Sequence, residues 1–594
     1  MASARQKNLR STFPMIAVGL VVIVVLLRLF NLQVVEAATI NSEADGRRGV
    51  VSTLWGTRGS IVDANGNELA SSVDRFHVTY APVNMSDFPV INPATDEEET
   101  VTVEDSLAAI AEITYQDPQE LLTSVEATVA ANPESQFGYL ARSITLEQYQ
   151  EIRDLRIPWV YFERLPQRVY PNGAVAGNVT GFMGDDGPLA GIELQYDSCL
   201  AGQNGEETFI RSRDGVAIPG SVVTLTEPTQ GGTIHTTIDL DTDWRMRQIL
   251  AEQVEEMEAK YGTLTVVEIA TGEIVSAAEY PGVDPNPDAF TEVDPEYRGA
   301  LTFSAPYEPG SIMKPVTAAM AYDAGVVSPD ETIRVPDTWP GSEAEFGDDV
   351  SHAPADMNMN GVMAVSSNVG IVMFGQRMDS ATRYQYLQDF GFGSQTGVGF
   401  IGEEPGLLYP PEQWDSHTNL SIMFGQGVST TAAQMAGAYQ ILGNGGTQVP
   451  LQLVSGCEAA DGTMTEVPDG QTQQVVSAEA AALSLEAMEA TATTGSVADQ
   501  VQVPGYRVGI KTGTAQVVDP ETGLYEEDSY ITSMAGVAPI DDPKYVVLVT
   551  LANPVKITGS AATAPAWQQA MSYVLAANEV APSPQPWPEI TVEN

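Results

Sequence analysis

Basic residues are scarce in this chain of 594 residues. Lysine and arginine number 27 against 79 aspartates and glutamates, a net charge of −52. That excess argues against nucleic acid and anionic lipid surfaces as partners, because both carry the same sign. Its plain meaning is a heavily solvated exterior, with no catalytic content. Cysteine occurs twice, as Cys199 and Cys457, and two distant thiols imply neither a disulfide framework nor a metal site. The four histidines, His77, His235, His352 and His417, lack metal-ligand spacing and read as structural or exposed. No metal or cofactor is expected. A G-x-S-x-G elbow and a P-loop are both missing, and Gly391-Phe392-Gly393 lacks the third glycine of a dinucleotide fingerprint. The hydrophobic content is an ordinary 43%, and the length allows two to four domains.

One long apolar run is present. Residues 13–27 carry no charge, and Leu29-Phe30 and Val34-Val35 extend the run past Arg28. That reaches the ~20 residues a membrane span needs. Residues 1–12 hold Arg5, Lys7 and Arg10 and no acid, and such a flank stays cytoplasmic. The expectation is a basic cytoplasmic tail (1–12), an uncleaved single-pass anchor in the cell membrane (13–36), and an extracytoplasmic remainder. A cleaved signal peptide is the competing reading, with Val35-Glu36-Ala37 as a poor cleavage site.

Residues 40–230 form the next unit. Arg58-Gly59-Ser60-Ile61-Val62-Asp63-Ala64-Asn65-Gly66-Asn67-Glu68-Leu69-Ala70 reads as strand, turn, strand around Asn65-Gly66. An insertion near 84–165 alternates acidic helical stretches with loops. No nucleophile stands beside a base here, so the unit is expected to be a pedestal or docking module. From 231 to 576 the pattern changes. A helix is expected over 241–260, a hairpin over 263–279, a strand running through 506–516, a buried strand over 545–551 and a helix over 564–575. Helices among antiparallel strands predict an α+β domain with helices on both sheet faces. Residues 577–594 are rich in proline and acid, the composition of a disordered tail.

Three short motifs carry the chemistry. Tyr307-Glu308-Pro309-Gly310-Ser311-Ile312-Met313-Lys314 places a hydroxyl and an amine three residues apart. Residues 311–325 have helical spacing, which puts both groups on one face, and Pro315 is tolerated in a first turn. A hydroxyl is a weak nucleophile until a base takes its proton. Alone, Ser-x-x-Lys is equally a capped surface helix. Lysine is rare, however, occurring only at 7, 260, 314, 511, 544 and 556. One of these opens Lys511-Thr512-Gly513-Thr514, and Ser366-Ser367-Asn368 lies between. The set, in this order and spacing, is that of penicillin-binding proteins and class A β-lactamases.

The chain therefore resembles the penicillin-binding serine transferases over roughly residues 13–575. Arg58-Gly59 with Asp63 and Asn65-Gly66, then Gly191-Ile192-Glu193 with Leu200-Ala201-Gly202, resemble the N-terminal blocks of class B. Gly425-Gln426-Gly427, Gln434 and Asn444-Gly445-Gly446 resemble transpeptidase segments. No glycosyltransferase Glu-Asp motif precedes them. The resemblance implies an α+β protein with a membrane helix, an elongated mostly-β pedestal and a D,D-transpeptidase domain that cross-links peptidoglycan. Its substrates would be stem peptides ending in D-Ala-D-Ala and an amine acceptor, and β-lactams would acylate it. The implied roles are Ser311 as nucleophile, Lys314 as base and Ser366 as proton relay. Asn368, Lys511, Thr512, Gly513 and Thr514 would bind substrate, and the backbone N–H groups of Ser311 and Thr514 would form the oxyanion hole. The Arg28-Leu29-Phe30-Asn31-Leu32-Gln33 flank and the Arg58 block look more like the division type than the elongation type. A membrane glycan polymerase and division proteins are partners by analogy. A D,D-carboxypeptidase, a β-lactamase, a β-lactam sensor and an idle division scaffold are the alternatives. The anchor and pedestal argue against a β-lactamase, and a cytoplasmic part of about 12 residues leaves a sensor no output domain.

Overall fold

The computed structural model describes residues 3–36, 49–91, 97–184, 186–210, 220–287, 289–341, 344–468, 470–519, 522 and 524–593, with the backbone alone at 3–12 and 49. The chain divides into two compact units. One comprises 1–57, 74–166 and 202–230; the other comprises 58–73, 167–201 and 231–594. This grouping cuts across the boundary expected at 230.

In the first unit the apolar run forms the helix Ser3–Phe30, continued by a turn at Asn31–Val35. Phe13–Val35 is long and apolar enough to cross a membrane. The strands Gly49–Leu54, Gly205–Ile210 and Val223–Thr226 form an antiparallel sheet. The expected insertion contains three helices, Val103–Thr114, Pro118–Ala131 and Leu146–Asp154. Each has a side-chain cap: Thr102 in a capping box with Asp105, Asp117 ahead of Pro118, and Thr145 with Gln148. They bury Leu107, Ile110 and Trp159 in a core of their own.

The second unit gathers the Arg58 and Gly191 blocks because they are tied to one another. Glu193 is fully buried between Arg58 Nε and Arg168 Nε, each 2.6 Å from one of its oxygens. Ile61 pairs in parallel with Ile234. Asp63 Oδ1 accepts from the N–H groups of Asn65 and Asn67, which closes the expected turn. Cys199 and Cys457 form a disulfide across 258 residues, a pairing that spacing alone did not give.

The larger part of this unit is built on α1 (Leu240–Met257), β1 (Tyr261–Glu268), β2 (Ile274–Tyr280), α2 (Lys314–Asp323), α3 (Met359–Ala364), α4 (Asn368–Gly375), α5 (Ala432–Gly443), α6 (Ala478–Thr494), β3 (Gly509–Val518), β4 (Tyr525–Ala538), β5 (Tyr545–Ala552) and α7 (Ala564–Ala577). The strands form one antiparallel sheet in the order β2-β1-β5-β4-β3. Every residue of β5 is buried. Val547, Val549 and Leu551 join a core with α1 and α7, whereas Val546 and Leu548 join the core that holds α2, α5 and α6. A strand covered on both faces reads as such a continuous apolar run.

The segment expected to be a disordered tail is an ordered extended strap as far as residue 593. Ser583 N–H donates to Gly505 O at 2.9 Å and Ser583 Oγ accepts from Arg507 N–H at 3.0 Å. Farther on, Thr591 O accepts from the amides of Asn358 and Asn360, each at 3.1 Å. Proline removes donors and helix propensity, but these partners satisfy an extended backbone.

Candidate active site

Ser311 sits in a 3₁₀ turn, Gly310–Met313, that leads into α2. The sequence predicts one helix from 311, and Pro315 accounts for the difference. It has no N–H to close an α-type bond onto Ser311 O, so the N–H of Lys314 takes that carbonyl in i→i+3 fashion. In a 3₁₀ turn residues three apart eclipse. Lys314 Nζ thus lies 3.0 Å from Ser311 Oγ. Gly310 has φ +57° and could not hold a side chain without strain; a Cβ there would stand 3.2 Å from Thr514 O. Gly513 is tighter, with a built Cβ 2.5 Å from Ser533 Oγ and 3.1 Å from Pro309 O. β3 therefore runs against the nucleophile turn. The two segments bearing the expected oxyanion donors, Ser311 and Thr514, are brought side by side.

Ser366 lies between α3 and α4 in a left-handed conformation, φ +59°. Its Oγ stands 3.1 Å from Lys314 Nζ and 2.9 Å from Lys511 Nζ. Its carbonyl accepts from Lys314 Nζ at 2.5 Å. Lys511 Nζ also donates to Thr512 O at 2.9 Å and to Thr512 Oγ1 at 3.3 Å. Asn368 opens α4, and its Nδ2 donates to Gly347 O at 3.0 Å. Ser311, Lys314, Ser366, Lys511 and Thr512 are thus joined by one set of contacts, with Asn368, Gly513 and Thr514 on the segments around them.

Both lysines are fully buried. Burial lowers Lys314 to about 8, opposed by the fields of Asp349 and Asp348. Burial and then the charge of Lys314 push Lys511 well below the lysine range, opposed by Asp349. Two buried ammonium groups sharing one serine oxygen resist double protonation. A neutral amine within hydrogen-bond reach of a hydroxyl can take its proton, which is the requirement for an activated serine.

Three residues given no role in the sequence belong to the site's surroundings. Glu308 accepts from Gly427 N–H and from Tyr525 Oη, both at 2.8 Å, and burial raises its carboxyl. It lies inside the nucleophile motif, but these partners are 119 and 217 residues away. Asp348 and His352 bind one another at 2.9 Å beside Ser367. The spacing i, i+4 was their only sequence signal.

Comparison with known proteins places this geometry. The family described as penicillin binding protein transpeptidase domain matches residues 262–572, more than half of the chain. That described as penicillin-binding protein dimerisation domain matches residues 53–188. The chain is 32% identical to penicillin-binding protein PbpB of Mycolicibacterium smegmatis, over 97% of this chain and 92% of that one. It is 28% identical to peptidoglycan D,D-transpeptidase FtsI of Escherichia coli, over 93% and 89%. Penicillin binding protein 3 of Mycobacterium tuberculosis, solved in complex with aztreonam, superposes with a TM-score of 0.68 at 26% identity, over 91% of this chain and all of that one.

Proposed function

The chain belongs to the class B penicillin-binding proteins, and on that premise we propose that it is a serine D,D-transpeptidase that cross-links peptidoglycan in cell division and is acylated by β-lactams. The observation that carries this reading is the contact between Ser311 Oγ and the fully buried Lys314, with Ser366 Oγ bridging Lys314 to Lys511.

The residues support a balanced sequence of steps. Neutral Lys314 takes the Ser311 proton as Oγ bonds to the carbonyl carbon of the penultimate D-Ala. The carbonyl electron pair moves onto oxygen, where the N–H groups of Ser311 and Thr514 receive it. A single such donor is typically worth about 100- to 1,000-fold. Collapse breaks the C–N bond, and the proton passes from Lys314 through the Ser366 hydroxyl to the departing D-Ala amine. The substrate's terminal carboxylate lies towards Lys511, with Thr512, Gly513 and Thr514 as neighbours, and an anion there favours a proton on Lys511. That charge in turn holds Lys314 neutral. Asn368 holds the donor's amide. An amine from a neighbouring stem then attacks the ester carbonyl, its proton passes through Ser366 and Lys314 to Ser311 Oγ as the ester C–O bond breaks, and Ser311 is regenerated as the cross-link is released. A β-lactam acylates Ser311 in the same way.

In this reading residues 231–576 hold the chemistry, residues 40–230 form the pedestal, and residues 1–12 face the cytoplasm. The Cys199–Cys457 disulfide supports an extracytoplasmic, oxidising location for the bulk of the chain. A membrane glycan polymerase and other division proteins are the proposed partners.

The test is an intact mass of the chain after exposure to a β-lactam, followed by peptide mapping. One stoichiometric adduct on Ser311, lost in Ser311→Ala, is expected. A folded chain that takes no adduct, or takes it elsewhere, overturns the reading. Release of D-Ala that gives cross-linked product only with an added amine separates a transpeptidase from a carboxypeptidase.

A further inference from the structure

The loop between the paired strands Ile333–Val335 and Ala355–Met357 grips the segment that follows Ser366. Asp348 Oδ2 accepts from Ser367 Oγ at 2.6 Å, and Asp348 Oδ1 accepts from the N–H of Val369 at 2.9 Å. Between them, Asn368 Nδ2 donates to Gly347 O at 3.0 Å. Three consecutive residues after Ser366 are therefore fixed by two consecutive residues of the loop. Ser366 itself has φ +59°, and a left-handed serine persists only where its surroundings over-determine it. The relay hydroxyl of Ser366 depends on whatever holds the residue in that conformation.

Asp348 is held in turn by His352. The ring's Nε2 stands 2.9 Å from Asp348 Oδ2 and its Nδ1 stands 2.8 Å from Ala353 O. A carboxylate and a carbonyl both accept only, and a neutral imidazole has one donor. Only the imidazolium satisfies both contacts. The Asp348 side chain is 6% exposed and that of His352 is 24% exposed, so the bond between them is sheltered, whereas the bond to Ala353 O lies at the surface. The other charged group facing His352 is Asp337, which Ser351 Oγ also engages at 2.5 Å. Asp349 follows Asp348 in the chain, and its field reaches Lys314 and Lys511.

We infer that Asp348, clamped by protonated His352, is the positioning residue that sets Ser366 Oγ between the two lysines, and that loss of the His352 proton slackens this clamp and slows acylation. The inference rests on the reading of Ser366 as a relay. The bonds to Asp348 and Ala353 raise the His352 pKa above its ordinary 6.5. The clamp is thus complete below pH 6.5 and released as pH rises through the folded-state value. Lys314 needs the opposite change, so acylation passes through a maximum.

The experiment uses the full chain in detergent and fluorescent penicillin, with second-order acylation rate constants measured from pH 5.5 to 9.5. The native chain is compared with His352→Gln and Asp348→Ala, each checked by melting temperature. A glutamine amide donates to Asp348 at every pH, so His352→Gln should lose the alkaline fall. Asp348→Ala should acylate roughly 10- to 100-fold more slowly, the scale of a misplacement of about 1 Å. An alkaline limb identical in the native chain and His352→Gln overturns the inference, as does Asp348→Ala at a rate within twofold of native. Because the chain has four histidines, a spectrum of ¹³C-labelled histidine reads the clamp without activity. A His352 ring that is neutral at pH 6 also overturns the inference. A native chain that takes no label at any pH removes the proposed function instead, and the ring titration still decides the clamp.

Discussion

Taking the chain from pH 6.5 to pH 5.5 isolates the base. Burial lowers Lys314 from 10.5 to about 8, which corresponds to about 3 kcal/mol against its charged form. Lys511 shares Ser366 Oγ with it, so the acid limb belongs to the pair, which must lose one proton before Ser311 is activated. Below pH 8 the reactive form then falls tenfold per unit. Acylation at pH 5.5 should run at about one tenth of its rate at pH 6.5, and at roughly one three-hundredth of the limit set by the lysines alone. His352, with its pKa above 6.5, stays mostly protonated throughout, so the clamp does not contribute to this limb. The assay is pseudo-first-order labelling with fluorescent penicillin at constant ionic strength, with recovery on return to pH 6.5 as the check for unfolding. A rate that is flat from pH 5.5 to 7.5 would refute a titrating amine as the base. The same shift also has a stability sign. Between pH 8 and 10.5 the unfolded chain holds a proton that folded Lys314 has lost, so stability should rise with pH through that window.

Glu308→Ala strands the part-buried Gly427 N–H and leaves Tyr525 Oη to water. It should cost roughly 1–3 kcal/mol of stability and slow acylation, whereas Glu308→Gln keeps one acceptor and should do less; equal rates in both variants and the native chain count against a role at the site. Gly513→Ala puts a methyl 2.5 Å from Ser533 Oγ and 3.1 Å from Pro309 O, so the serine must rotate away and the nucleophile turn must give by a few tenths of an ångström, and a loss of up to about 10-fold in acylation is expected. An alanine variant that labels at the native rate would show that the turn tolerates the shift. Reducing Cys199–Cys457 opens a closure of 258 residues, for which chain entropy sets a ceiling of about 5.6 kcal/mol. Melting with and without reductant measures it, and two free thiols in the unreduced, unfolded chain would contradict the bond.

The legible parts of this chain are the local ones. Ser311 and Lys314 are three residues apart, Asn65-Gly66 closes its own turn through Asp63, and the unbroken apolar run 545–551 announces a strand covered on both faces. Each signal is complete within about ten residues. The start of the nucleophile helix was misread although its cause, Pro315, is also local, because spacing does not weigh a missing N–H. The strap beyond α7 was misread because proline and acid describe a segment without a partner. Its partners, Asn358 and Asn360, lie 233 and 231 residues away. Glu308, the disulfide and the hold on Ser366 share that property, since their chemistry depends on which distant segments meet.

The same distance explains how an acidic chain keeps two lysines poised. Among the described residues, every hydrogen-bond partner of the Lys314 and Lys511 amines is a neutral oxygen, from Ser311, Ser366 or Thr512. A carboxylate in direct contact would fix a proton on either amine and remove the base. The acids whose fields reach Lys314 are Asp349 and Asp348, and both raise its pKa. Asp348 is occupied: Ser367, Val369 and His352 take up its oxygens. An imidazolium at His352 orients that carboxylate. Asp348 thus both holds the segment after Ser366 and raises the Lys314 pKa. Positioning and pKa control are coupled through Asp348.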